Sequence, residues 1–273
     1  MKLIDIGINL MNSSYDRDRE EVIKNAEAAG VSPLIITGSG ERSSLAAALY
    51  ASKYNAGTDL AACAGSALYT TAGVHPHEAK NCGNNTIDLL RDLVREKAVV
   101  KAIGECGLDY NRDFSPRDVQ RRWFTKQAEL AAELSLPLFL HERDAFIDLS
   151  IILKEHIKSV PAAVIHCFTG TRDELEHYLF LGCYIGITGW ICDERRGKHL
   201  RELVKIIPSD KLLLETDGPY LLPRDLSIKV KNKRNEPRFL PHIAETVAQC
   251  LGKDPAMLAR ETVANTKRFF QLE

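Results

Sequence analysis

Short apolar runs alternate with amphipathic stretches from one end of the chain to the other. The first run, residues 3–10, shows little polar alternation, as a strand covered on both faces requires. An amphipathic stretch over 16–29 follows, and Gly30 stops it. The same unit then recurs. Strands are expected at 33–37, 69–74, 99–105, 137–141, 162–166, 183–188 and 212–216. Helices are expected at 41–54, 86–96, 116–133, after strand five to about 157, at 172–180, and at about 198–206. Ser115 is the expected N-cap of the fourth helix, with Pro116 in its first turn. Two more helices, about 241–251 and 255–270, close the chain. Eight strands in strict alternation with helices imply a parallel sheet with right-handed crossovers. Eight such units in 273 residues favour an α/β fold closed into a (β/α)8 TIM barrel, with 1–273 as a single domain. Neither GxGxxG nor GxxxxGK[ST] occurs, so no nucleotide-fold fingerprint competes. Segment 55–67 is small and bland and carries no functional reading.

Four of these strands end on residues that bind metals. Strand four runs through KAIGECGLDY and delivers Glu105 at its end; strand five delivers His141, strand six His166 and strand eight Asp217. Catalytic groups in a barrel of this kind sit at the C-terminal ends of the strands. Of the eight histidines, His156, His177, His199 and His242 fall in expected helices and read as surface or packing residues. The other four, His75, His77, His141 and His166, all fall at strand ends. Glu105 with His141 and His166 makes a site of two imidazoles and one carboxylate, suited to a divalent ion with positions left for water and substrate. Asp217 is either a further ligand or the base that takes a proton from water; the plainer alternative is a turn residue before Gly218 and Pro219.

Composition narrows the setting. A net charge of −1 implies no broad basic face, which argues against avid non-specific duplex binding but allows a nucleic acid held locally. Seven cysteines without CxxC spacing read as reduced thiols, and Cys106, Cys167 and Cys192 as small buried residues. No apolar run approaches the ~20 residues of a membrane span. A cytoplasmic location is expected, or a nuclear one in a eukaryote, with no membrane and no obligate protein partner. The rim also carries groups for phosphate. Arg143 stands two residues past His141, Arg195 and Arg196 follow strand seven, and Arg224 follows strand eight. A guanidinium fork matches two phosphate oxygens; each arginine could instead pair with a nearby acid such as Asp193, Glu194 or Asp225. Trp190 and Tyr220 are placed to stack on unpaired bases. Lys229, Lys231, Lys233 and Arg234 read as a solvated charge run.

Six stretches in order, GVHPH (73–77), IGECGLDY (103–110), LFLHERDA (138–145), VIHCFTG (164–170), YIGITGW (184–190) and LLETDGPYL (213–221), give the chain a resemblance to the TatD-like metal-dependent nucleases, a branch of the metallo-dependent hydrolases. The resemblance covers nearly the whole chain. It implies a (β/α)8 barrel and a metal-dependent deoxyribonuclease, a 3′-5′ exonuclease on single-stranded DNA, with RNA as a further substrate and a role in DNA repair. It implies Mg2+ as the working ion, while the donor types themselves would accept Mn2+ or Zn2+. Carried onto this chain, it makes Glu105, His141, His166 and Asp217 the metal-site residues, Glu105 and Asp217 the catalytic ones, and His75 and His77 substrate-contacting or supporting groups.

One departure stands out. The wider family opens strand one with Asp-x-His-x-His, whereas this chain has Asp5, Gly7 and Asn9. One metal position thereby loses two imidazoles, so the site at Glu105, His141 and His166 is expected to fill first and a second ion to bind weakly. Two other functions stay open on the residues alone. One is a metal-dependent hydrolase of a small amide, ester or phosphate; the other is a non-catalytic binding protein.

Overall fold

In the computed structural model, which describes residues 1–57 and 67–273, the chain forms one eight-stranded sheet in the order β1 to β8, every neighbouring pair parallel. Most of the bland segment 55–67 lies outside the described residues. The strands are β1 (Leu3–Ile8), β2 (Val31–Ile36), β3 (Leu68–Ala72), β4 (Val100–Asp109), β5 (Leu138–Arg143), β6 (Ala163–Ile165), β7 (Tyr184–Ile187) and β8 (Leu212–Leu214). Between and after them run α1 (Arg19–Ala28), α2 (Glu41–Gly57), α3 (Thr86–Glu96), α4 (Arg117–Leu134), α5 (Phe146–His156), α6 (Arg172–Phe180), α7 (Lys198–Leu203), α8 (Leu240–Leu251) and α9 (Pro255–Phe270). The (β/α)8 barrel expected from the periodicity is therefore what forms.

The ring closes where β1 meets the chain just past β8. Ile8 and Gly218 form a parallel bridge, the Asp217 N–H donates to Gly7 O at 2.9 Å, and the Asn9 N–H donates to Gly218 O at 2.8 Å. Closure thus sets Gly7, Asn9 and Asp217 side by side. Two apolar layers hold the barrel. Leu, Ile, Val and Ala side chains pack between strands and helices. Inside the ring, Ile4, Ile6, Phe139, Val164 and Leu213 form a smaller cluster, which α9 plugs with Phe269 and Phe270. Filling the interior by stacked side chains leaves only the opposite, C-terminal mouth open for chemistry.

Two features depart from the sequence expectation. Strand four does not stop at Glu105. Past an irregularity between Ile103 and Cys106, its pairing with β5 resumes, with Gly107 beside His141 and Asp109 beside Arg143. Because side chains alternate along a strand, Asp109 shares a face with Gly107. Gly107 has φ +132°, and a Cβ there would meet His141 O at 2.0 Å. The glycine is what lets the extended strand pass so close to β5. Second, Ser115 does not cap α4, which begins at Arg117 with Pro116 before it. The Ser115 hydroxyl donates instead to His77 O at 2.9 Å and accepts from the Lys80 N–H at 3.0 Å. It fixes the short turn Pro76–Asn81 that carries His77.

Helix α4 also braces the mouth. Gln127 Oε1 accepts from the Val74 N–H and its amide donates back to Val74 O; Gln120 does the same to Asp109. Seven residues apart, the two glutamines share one helix face. They satisfy backbone groups that would otherwise be buried without partners. Among the described residues, no helix is long and apolar enough to cross a membrane.

Candidate metal centre

Three imidazole nitrogens converge on one carboxylate oxygen at the mouth. Glu105 Oε1 lies 2.8 Å from His166 Nε2, 3.1 Å from His141 Nδ1 and 3.3 Å from His75 Nε2. Glu105 is buried. Burial alone would raise its pKa, but the charge of His166 and hydrogen bonds from His141 and His166 hold it well below the usual carboxylate range. It is an anion in a dry pocket, which persists only with positive charge beside it. Burial opposes protonation of His141 and His166, yet their carboxylate neighbours outweigh it and raise both pKa values. A divalent cation would supply that positive charge in place of the ring protons.

The second nitrogen of each ring separates the three histidines. His141 Nε2 lies 3.3 Å from Asp109 Oδ2, and His166 Nδ1 lies 3.3 Å from Glu215 Oε2. In each case a carboxylate can hold one ring N–H and leave the other nitrogen free to ligate, the usual arrangement around a bound metal. His75 differs. Its Nδ1 accepts the backbone N–H of His77 at 3.1 Å, so in the neutral ring the proton sits on Nε2 and points at Glu105. Burial pushes His75 down to about 4, which keeps it neutral at pH 7. By distance alone His75, Glu105 and His141 form the tightest set, with ligand atoms within 4.8 Å of one another. By proton placement the Nε2–H of His75 lies on the Glu105 side, at 3.3 Å, while His141 and His166 each keep a nitrogen that could ligate.

Asp217 enters from the closure between β1 and β8. Its Oδ1 accepts from Asn9 Nδ2 at 3.0 Å. Burial, with the Glu105 and Glu215 charges behind it, pushes its carboxyl up to about 8 against the pull of His166. Below it, Glu215 is fully buried and accepts the Cys167 N–H at 2.5 Å. Its two oxygens fill the space over two glycines. A Cβ on Gly7 would come within 2.6 Å of Oε2, and one on Gly186 within 2.5 Å of Oε1.

The rim residues divide. Arg143, at the end of β5, is exposed. Tyr220 is exposed and its hydroxyl accepts from Asn12 Nδ2 at 3.2 Å. The Arg196 guanidinium lies 5.6 Å from the centre of the half-buried Trp190 ring. Arg195 is exposed, and its backbone N–H donates to Asp193. Arg224 Nε pairs with Asp193 at 2.9 Å, the acid partner the sequence offered as its alternative. Trp190, Arg196, Arg224, Lys229 and Lys233 line a cleft of about 810 Å3 between the loops after β7 and β8. Arg234 is withdrawn from the charge run by Asp18 and Glu236, at 2.6 and 2.8 Å. His77 Nε2 faces Asp109 Oδ2 at 2.6 Å and its ring edges against Phe114, so a protein carboxylate already holds one of its nitrogens.

A family model for the TatD related DNases matches residues 4–271. The chain belongs to that family. A protein of Rahnella sp. (strain Y9602) named 3′-5′ ssDNA/RNA exonuclease TatD is 49% identical over 270 residues, covering 99% of this chain and 98% of its own. Its namesake in Escherichia coli (strain K12) is 47% identical over 268 residues, covering 98% of each chain. Among solved structures, a hydrolase of the TatD family from Entamoeba histolytica superposes with a TM-score of 0.89 at 28% identity, over 100% of this chain and 99% of its own.

Within this TatD-family site, sequence reasoning gives no role to Asp109, Glu215 or Asp5. Asp109 lay beyond the end assigned to strand four, although the GLDY stretch held it in view. Burial would raise its pKa, but His141, His77 and the Arg112 N–H hold it far below the usual range. Glu215 falls inside the last expected strand, 212–216, without a feature that singles it out. Asp5 is fully buried and binds the N–H and hydroxyl of Thr216 and the N–H of Gly7. No local pattern flags a carboxylate whose partners lie across a barrel closure.

Proposed function

We propose that this protein is a metal-dependent deoxyribonuclease that shortens single-stranded DNA from the 3′ end and also accepts RNA. The observation that carries the reading is the pair His141 and His166, each backed by its own carboxylate and both turned on Glu105, in a chain whose relatives are named 3′-5′ ssDNA/RNA exonucleases. Glu105, His141 and His166 are the residues that would hold the ion, with Asp217 joining from the barrel closure. Mg2+ is the working ion proposed; the imidazole and carboxylate donors would also accept Mn2+ or Zn2+. When bound, the ion supplies Lewis acidity toward the phosphodiester and toward water.

The chain's own groups do the rest. His75 packs its Nε2 3.3 Å from Glu105 Oε1 and helps keep that carboxylate turned into the mouth. Asn9 holds Asp217 Oδ1, leaving Oδ2 to take the proton of the water that adds to phosphorus and to pass it to the departing ester oxygen as the P–O bond breaks. Arg143, Arg195 and Arg196 meet backbone phosphates, and Trp190 and Tyr220 stack on bases, a grip that tolerates sequence. The six described cysteines are free thiols, and a reducing cytoplasm is the proposed setting.

The test is digestion of 3′-labelled and 5′-labelled single-stranded oligonucleotides with Mg2+, with Mn2+ and with chelator. The reading expects metal-dependent stepwise loss from the 3′ end, abolished in Asp217→Asn. Absence of cleavage with every ion would overturn it and pass the site to a small ester, amide or phosphate.

A further inference from the structure

A second group of metal-type side chains stands outside the Glu105 centre. Cys192 lies in the 3-10 turn Gly189–Cys192 after β7, Asp225 in the loop after β8, and His242 in the first turns of α8. One ligand atom from each lies within 4.8 Å of the other two, and this is one of two such groups among the described residues. His242 Nε2 is 2.6 Å from Asp225 Oδ1. Cys192 is fully buried and its Sγ lies 3.4 Å from the Thr246 hydroxyl one turn along α8. Sulfur, imidazole nitrogen and carboxylate oxygen thus meet from three segments distant in sequence.

We propose that Cys192, Asp225 and His242 form a second metal site, for Zn2+ or a similar borderline transition ion, that ties the loop after β8 to α8. A mixed sulfur, nitrogen and oxygen set suits such an ion, whereas Mg2+ prefers oxygen alone. Three protein ligands leave a fourth position for water. The pairing of His242 with Asp225 is shorter than the ~3.3 Å separating two ligands on a tetrahedral ion, so they part slightly on binding. Asp225 is exposed on its loop and free to make that move.

Proton bookkeeping is simple. The S–H bond of Cys192 breaks, an S–metal bond forms, and one proton leaves to solvent. The ring proton of His242 moves to Nδ1 as Nε2 takes the ion. Burial pushes the Cys192 thiol up to about 12, so no thiolate stands ready before the ion arrives.

The consequence falls on the cleft. Asp225 follows Arg224 and Cys192 precedes Asp193, the two residues whose ion pair spans the cleft lining. An ion at Cys192 would hold that pair, and the loop carrying Lys229 and Lys233, in one arrangement.

The test is a titration of metal-stripped, full-length protein with Co2+, reading the near-ultraviolet thiolate-to-cobalt charge-transfer band. The inference expects the band in the native chain, its loss in Cys192→Ser and in His242→Ala, and its retention in Cys167→Ser, a thiol beside the other centre. Asp225→Asn should weaken Co2+ binding by at least about tenfold. A native chain without the band, or a band that survives Cys192→Ser, would overturn it. If Cys192→Ser misfolds, loss or survival of the band in His242→Ala, altered only at a half-exposed ring, decides in its place. None of these readings depends on nuclease activity.

Discussion

The carboxylate of Glu215 occupies the space that a side chain on Gly7 would need. A Cβ there would lie 2.6 Å from Glu215 Oε2 and 3.3 Å from the Phe139 ring. The missing strand-one imidazole is therefore matched by a compensating group, and restoring a side chain meets a buried acid. Gly7→Ala should lower unfolding free energy by about 1–3 kcal/mol, the usual cost of overpacking a filled site. Chemical denaturation measures it, and a variant as stable as the native chain would refute the packing.

Proton placement separates His75 from the two other rings. In His75→Gln the amide N–H can still donate to Glu105, so metal affinity should change little. Asp109→Asn removes the carboxylate behind His141 and should cost roughly 10–100-fold in metal affinity. Isothermal titration of each variant reads both effects. Equal losses in the two would show that His75 ligates.

Asp5 makes stability depend on pH. Burial raises its pKa from 3.8 to about 7, against the hydrogen bonds from Thr216 and Gly7. The folded chain holds a proton there that the unfolded chain releases between those values. Its contribution is complete below the unfolded pKa and is lost as pH rises through 7. The difference is on the order of 4 kcal/mol. Asp5→Asn copies the protonated shape, accepting both N–H groups at Oδ1 and donating to the Thr216 hydroxyl. Relative to the native chain, the variant should gain stability from about pH 4 to about pH 8. Parallel stability curves would contradict this.

The sequence was most legible where local chemistry repeats. The eight apolar runs gave the eight strands, and α3 and α6 fall where periodicity put them. That Glu105, His141, His166 and Asp217 gather at the barrel mouth was legible because each ends or follows a strand beside a glycine or polar loop. Asp109 was not, because a bulge carried β4 four residues past its apolar run. The roles of His75 and His77 were not, because they depend on a backbone N–H and on Asp109, neither visible in spacing. Ser115 looks like a cap in sequence, and its hydroxyl is claimed by another loop.

The central claim is that Glu105, His141 and His166 hold the ion that hydrolyses phosphodiesters. The direct measurement is the rate of 3′-end release from a single-stranded oligonucleotide across a Mg2+ titration, for the native chain and for Glu105→Gln, with circular dichroism confirming that both fold. The account predicts saturable activation by Mg2+ in the native chain. It predicts a fall of at least about a thousandfold in Glu105→Gln, about 4 kcal/mol of lost transition-state stabilisation, with no rescue at high Mg2+. Native-like rate and Mg2+ dependence in Glu105→Gln would place the ion elsewhere.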